Sequence, residues 1–175
     1  YLNLLLWGTE VVVVRGRQQN VPQSVLDTVA VRMGTTTSRS ETDLIAYSVP
    51  GGMDWSQGPL DTVQQVDSRI CANLKKVTVV IVQTKTNWAD NSQVPMLWDL
   101  IYDVQNFVTK NVTVGVGGFT PRSLKKFSYA FATVPSGRDL GKWKAASINV
   151  KRVQQLSGHN FWCAETVPDV ALCIN

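Results

Sequence analysis

The sequence predicts an α/β domain with a central mixed β-sheet flanked by helices. Three observations carry that expectation. Residues 77–85, VTVVIVQTK, are apolar on both faces until Gln83, as a strand covered on both sides of a sheet must be. Leu97, Ile101, Val104 and Val108 repeat at i, i+4, i+7 and i+11 behind Pro95, the spacing of one helix face. Strand-like and helix-like segments alternate along the rest of the chain, without an internal repeat or a linker.

Taken in order, the opening run YLNLLLWGTEVVVVRG is apolar but broken by Gly8, Thr9 and Glu10. VPQSVLDTVAVRMG begins with Pro22 and Ser24, ends at Gly34 and places Val25, Val29 and Met33 in one row, which predicts a short helix. The polar TTTSRS predicts a loop. Leu44, Ile45 and Tyr47 then predict a strand ending at Pro50-Gly51-Gly52. Next comes a loop and a short helix closed by Lys75 and Lys76, and after it the 77–85 strand, expected at the centre of the sheet. Beyond the polar TNWADNSQ and the helix of 95–108, NVTVGVGG predicts a strand ending in glycines and TPRSLKKF a turn or short helix. SYAFATVP predicts a strand, and AASINVKRVQQLSG a helix stopped by Gly158.

The 175 residues, 44% hydrophobic with a mean hydropathy near zero, suffice for one domain with a real core over 1–175. The first residue is Tyr1, which is compatible with a portion of a longer polypeptide. No run reaches the roughly 18 to 20 apolar residues of a membrane span, and no export signal is visible. Three cysteines, Cys71, Cys163 and Cys173, without a C-x-x-C pair do not make a secreted disulfide framework. A cytoplasmic location is therefore expected, where the sequon Asn111-Val112-Thr113 goes unread. His159, Cys163 and Cys173 match no usual zinc spacing. The sole histidine also stands apart from any G-x-S-x-G-like signal, which argues against a serine or cysteine hydrolase.

Charge is unevenly spread. From Lys110 to Arg152 there are nine basic residues and one acid, Asp139, whereas residues 1–109 carry eight basic and ten acidic ones. Such polarity suggests a face for a polyanion, with solvated lysines as the plain alternative. Lys125, Lys126, Lys144, Lys151 and Arg152 are the phosphate candidates. Asn87 and Asn91 could contact DNA, since amides read adenine edges or hold phosphates, although Asn91 is equally suited to cap the following helix. Trp88, Trp98 and Trp143 are more often core or interface anchors than stacking platforms.

The sharpest feature is the polar end of the apolar strand. Alternation puts Gln83 and Lys85 on one face, with Thr84 on the other. A lysine beside an amide at the end of a core strand is costly unless a fixed positive charge is needed there, for a phosphate or an attacking water. Asp43, with Glu41 two residues earlier on the same face, begins the preceding strand. Antiparallel pairing of the two strands lets Asp43, Gln83 and Lys85 converge at one sheet end. A carboxylate, a carbonyl oxygen and an ammonium are what Mg²⁺-assisted hydrolysis of a phosphodiester requires.

This pattern, an aspartate followed about forty residues later by [E/D/Q]-x-K at the end of an apolar strand, resembles the PD-(D/E)XK nuclease superfamily, especially type II restriction endonucleases. The resemblance is strongest from Glu41 to Tyr102 and implies a mixed sheet flanked by helices, cleavage of double-stranded DNA with Mg²⁺, and a homodimer. It implies Asp43, Gln83 and Lys85 as catalytic residues and Asp43, Gln83 and Glu41 as metal ligands. Two positions depart from the pattern: Thr42 stands where proline is usual, and Gln83 replaces the acid. The amide keeps an oxygen for a metal but brings no charge, so either Glu41 or Glu10 contributes or the site is impaired. The competing expectation is a non-enzymatic α/β module that docks nucleic acid or an acidic partner through the basic C-terminal half.

Overall fold

A computed structural model describes residues 1–39, 42–52, 59–85, 106–107, 111–133, 144–158 and 160–163. The described strands are β1 (Val11–Arg15), β2 (Val31–Met33), β3 (Thr36–Ser38), β4 (Leu44–Ser48), β5 (Thr78–Lys85), β6 (Asn106–Phe107), β7 (Val112–Val114), β8 (Lys126–Thr133) and β9 (Phe161–Cys163). The described helices are α1 (Leu2–Leu5), α2 (Gln23–Val29), α3 (Pro59–Ala72) and α4 (Ile148–Leu156). One sheet has the order β1-β4-β5-β8-β9 and a second the order β3-β2-β7-β6. With β1 antiparallel to β4 and β8 parallel to β9, the five-stranded sheet is mixed, and the fold is α/β. The expected central strand, β5, is the third of the five.

The chain divides into two compact units: residues 1–81 with 104–127, and residues 82–103 with 128–175. In the first unit, Ile45 and Tyr47 of β4, Val79 and Ile81 of β5, and Val66 and Ile70 of α3 are buried apolar residues. Thr62, Val66 and Ile70 repeat every four residues, so α3 buries one stripe and leaves Gln64, Gln65 and Ser68 in water. Burial pushes the pKa of the Tyr47 phenol up, so it stays neutral. The free edge of β1 is blocked by its own chain: Val13 N–H donates to Asn3 Oδ1 and Asn3 Nδ2 donates to the Val13 carbonyl, both at 2.8 Å. One side chain thus mimics a strand partner at an edge that would otherwise invite pairing.

Helix α2 is held by a cap from α3. Asp67 Oδ1 accepts from the Ser24 N–H at 2.8 Å and from Ser24 Oγ at 2.6 Å, satisfying a first-turn donor that has no partner inside the helix. Ser24 is buried, so Asp67→Ala leaves two donors without their acceptor and should lower stability by about 1–3 kcal/mol. A urea titration checks this, the expected result being a lower midpoint with an unchanged slope; an unchanged midpoint would remove the cap from the account.

In the second unit, β8 buries Tyr129, Phe131 and Thr133 on one face, while Val150 and Val153 of α4 and Phe161 of β9 are also buried. Gly158, with φ of 59°, follows α4 as expected of a helix stop.

Three expectations about elements need correction. The helix proposed through Met33 ends at Val29: Ala30 is extended and residues 31–33 form β2, paired with β3 and β7. The polar TTTSRS contributes strand β3 rather than a loop. Asn106 and Phe107 pair with Thr113 and Val112, so the helix expected to run to Val108 cannot include them; residues 95–105 and 108 lie outside the described residues.

Candidate active site

Strand β5 is built as a row of alternating inward positions. Val79 and Ile81 are 0% exposed, and Gln83, next in the row, is 7% exposed. An amide in such a place costs several kcal/mol unless it is hydrogen-bonded, on the order of 2–7. Its partner is on β8: the Tyr129 hydroxyl donates to Gln83 Oε1. Tyr129, itself 3% exposed, stands with Phe131 at a ring separation of 4.9 Å and an interplanar angle of 46°. The second unit therefore holds a buried polar pair, amide to phenol, at the close of the central strand. The amide oxygen has two lone pairs and the phenol uses one. Thr84 is exposed, the alternation expected, and Lys85 ends the strand with its side chain outside the described residues.

Asp43 belongs to the first unit, where it immediately precedes β4 and is exposed. Its carbonyl accepts from the Gly16 N–H at 3.2 Å, which continues the β1–β4 ladder past the Arg15–Leu44 pair. Gly16 is required there: a Cβ would lie 2.2 Å from the Thr42 carbonyl oxygen and 2.4 Å from Thr42 Oγ1. Among the described residues the hydroxyl of Thr42, a largely buried residue, has no hydrogen-bond partner. The close backbone contact thus fixes the two residues that lead into β4.

The same ladder corrects the suggestion that Glu10 assists. The Val49 N–H donates to the Glu10 carbonyl and the Gly51 N–H to Glu10 Oε1 at 2.9 Å, so Glu10 caps the turn beyond Ser48. That is about six strand residues, roughly 20 Å, from Asp43. Glu41, Asn87 and Asn91 lie outside the described residues. Lys125, Lys126, Lys144, Lys151 and Arg152 are all exposed. Lys151 and Arg152 sit together on α4 beside the buried Val150 and Val153. The Lys125 N–H donates to the Val77 carbonyl, at the opening of β5 rather than its polar close.

Sequence reasoning missed Tyr129, Gly16 and Asn3. Tyr129 had a readable signal, because in SYAFAT it shares the inward register with Phe131, and a buried phenol needs a polar partner on a neighbouring strand. Gly16 had none, since its role depends on a contact with Thr42.

Mg²⁺, implied by the nuclease resemblance, can be tested against these donors. Asp43 in the first unit and Gln83 in the second each carry an oxygen of the kind Mg²⁺ takes. Among the described residues no group of three or more His, Cys, Asp or Glu side chains is assembled to hold a metal ion. None of the described helices is long and apolar enough to cross a membrane. Neither a scan of protein-family models nor a search of curated proteins finds a match to this chain.

Proposed function

We propose that the chain is a Mg²⁺-dependent endonuclease of the type II restriction kind, hydrolysing phosphodiester bonds of double-stranded DNA as a homodimer. The observation that carries the reading is the buried amide of Gln83, which continues the Val79 and Ile81 row at the polar end of the central strand of a mixed sheet. Strand adjacency supports it: β4 and β5 are neighbours, and the Thr78 N–H at the opening of β5 donates to Ser48 Oγ at the close of β4, at 2.8 Å. The resemblance of Asp43, Gln83 and Lys85 to the superfamily pattern supplies the chemistry.

In this reading Asp43, Gln83 and Glu41 hold the cation. Bound there, Mg²⁺ supplies Lewis-acid stabilisation of charge developing on the phosphodiester. Asp43 brings negative charge, Gln83 brings a neutral oxygen, and Lys85 orients the attacking water or offsets phosphate charge. Two sites related by twofold symmetry cut the two strands of a palindrome.

The test is digestion of plasmid DNA with Mg²⁺, repeated with EDTA. Discrete fragments that vanish with EDTA are expected, and their ends give the recognition sequence. Intact but shifted DNA would instead favour the binding module, which the exposed lysines and Arg152 would serve equally well.

Those lysines make a separate prediction. Affinity for DNA should fall with salt at a log–log slope near −0.9 for each phosphate neutralised. Lys125→Ala combined with Lys126→Ala should weaken binding to all sequences and make the slope shallower. Filter binding between low and moderate salt measures it; an unchanged slope places both lysines on an unrelated surface.

A further inference from the structure

We infer that the apolar stretch from Tyr1 to Val11 is the surface through which two copies of this chain meet. The inference rests on the proposed function in one respect, that the protein is a homodimer, and it needs none of the nuclease chemistry. Among the described residues the large apolar side chains open to solvent are Tyr1, Leu2, Leu4, Leu5, Trp7 and Val11, with Met33 and Ile148 elsewhere. Leu4, Leu5 and Trp7 are 72%, 66% and 70% exposed. Taking about 150–250 Å² for a whole aromatic side chain and less for a leucine or valine, the stretch leaves roughly 600 Å² of apolar surface in water. That is the upper end of the largest patch on a typical monomer, about 300–600 Å², and most of the ~800 Å² that each partner gives to a standard interface.

The chemistry of the patch suits a second copy. Residues 1–9 contain no Asp, Glu, Lys or Arg, and the Glu10 carboxylate is engaged by the Gly51 N–H at 2.9 Å. A twofold contact sets a patch against itself, so any charge at its centre would face its own kind. A charge-free patch meets that requirement. It also carries both projection and recess: Leu4 and Leu5 stand out from α1, while Leu6, Trp7, Val11 and Gly52 wall a cavity of about 240 Å³, room for an apolar side chain of the facing copy. Asn3 meanwhile occupies both backbone hydrogen-bonding groups of Val13 at the β1 edge. The copies therefore cannot join by extending the sheet there and must meet through side chains.

Sedimentation velocity of the 175-residue chain from about 1 to 100 μM tests this, because a dimer forms by mass action. We expect a dimer in the parent, and Leu5→Glu or Trp7→Ala to weaken it by at least about thirtyfold, the loss that follows removal of a central anchor. Ile148→Glu, at an exposed apolar residue of the second unit, should leave the dimer within about threefold of the parent. Leu5 and Trp7 are exposed, so urea midpoints at the lowest concentration should be unchanged, and a lost dimer is then not a lost fold. A monomeric parent at the highest concentration, growth into open-ended oligomers, or a dimer that resists both variants or yields equally to Ile148→Glu overturns the inference. A monomeric parent that floats with phosphatidylcholine vesicles gives the patch to a lipid surface instead. A dimer broken by both variants, in a protein that leaves DNA intact with Mg²⁺, sinks the nuclease reading and keeps the surface.

Discussion

Lys85→Ala should cut DNA at least about a hundredfold more slowly than the parent while binding it with nearly unchanged affinity. The size follows from removing a fixed charge that acts where charge develops, typically worth about 10²–10³ in rate. On the nuclease reading affinity should survive, because most of it would come from phosphate contacts spread over many side chains, for which the exposed Lys151 and Arg152 are candidates. Fold stability should survive as well, since Lys85 is the last residue of β5 and its loss leaves the Val79, Ile81 and Gln83 row untouched. Cleavage is followed over a Mg²⁺ titration and binding is measured in Ca²⁺. If the variant cuts as fast as the parent, Lys85 is a lysine that happens to end a strand, and the proposed catalytic trio fails with it.

The elements that the sequence announced are those whose signal is local. Strand β5 declares itself by a run that is apolar on both faces until Gln83, and the helix before it by its Lys75-Lys76 close. Helix α2 misled because Val25, Val29 and Met33 keep helical spacing, yet residues 31–33 gain their ladder from Val112–Val114, about eighty positions on, and no window of sequence contains that pairing. The hairpin that carries β3 left a trace: Met33 pairs with Thr36 across Gly34 and Thr35, with Gly34 at φ of 60°. A glycine opening a two-residue loop is a hairpin signal that the polarity of the threonines concealed. At the candidate site the residue types were legible and the partners were not. Gln83 stood out as a polar break in an apolar strand, whereas Tyr129 is 46 positions away and became relevant only through the strand order.

Asp43→Asn should reduce cleavage by about a hundredfold or more, and the way it is rescued distinguishes a shared site from two separate effects. The substitution keeps size and an oxygen but removes the negative charge, and with Gln83 already neutral the two residues would offer a hard cation only dipoles. Because Asp43 is exposed, the folded state should change by less than about 1 kcal/mol, so lost cleavage is not lost protein. Gln83→Glu restores one charge at the other position, beside the Tyr129 hydroxyl that donates to the amide in the parent. If Asp43 and Gln83 hold the same cation, the double variant should regain at least about tenfold of the lost rate and bind Mg²⁺ more tightly than Asp43→Asn alone. Charges that serve different places cannot replace one another. A double variant no faster than Asp43→Asn, with its urea midpoint intact, would therefore separate the two residues and leave Asp43 as the exposed lead into β4, held by Gly16 for the sake of the sheet.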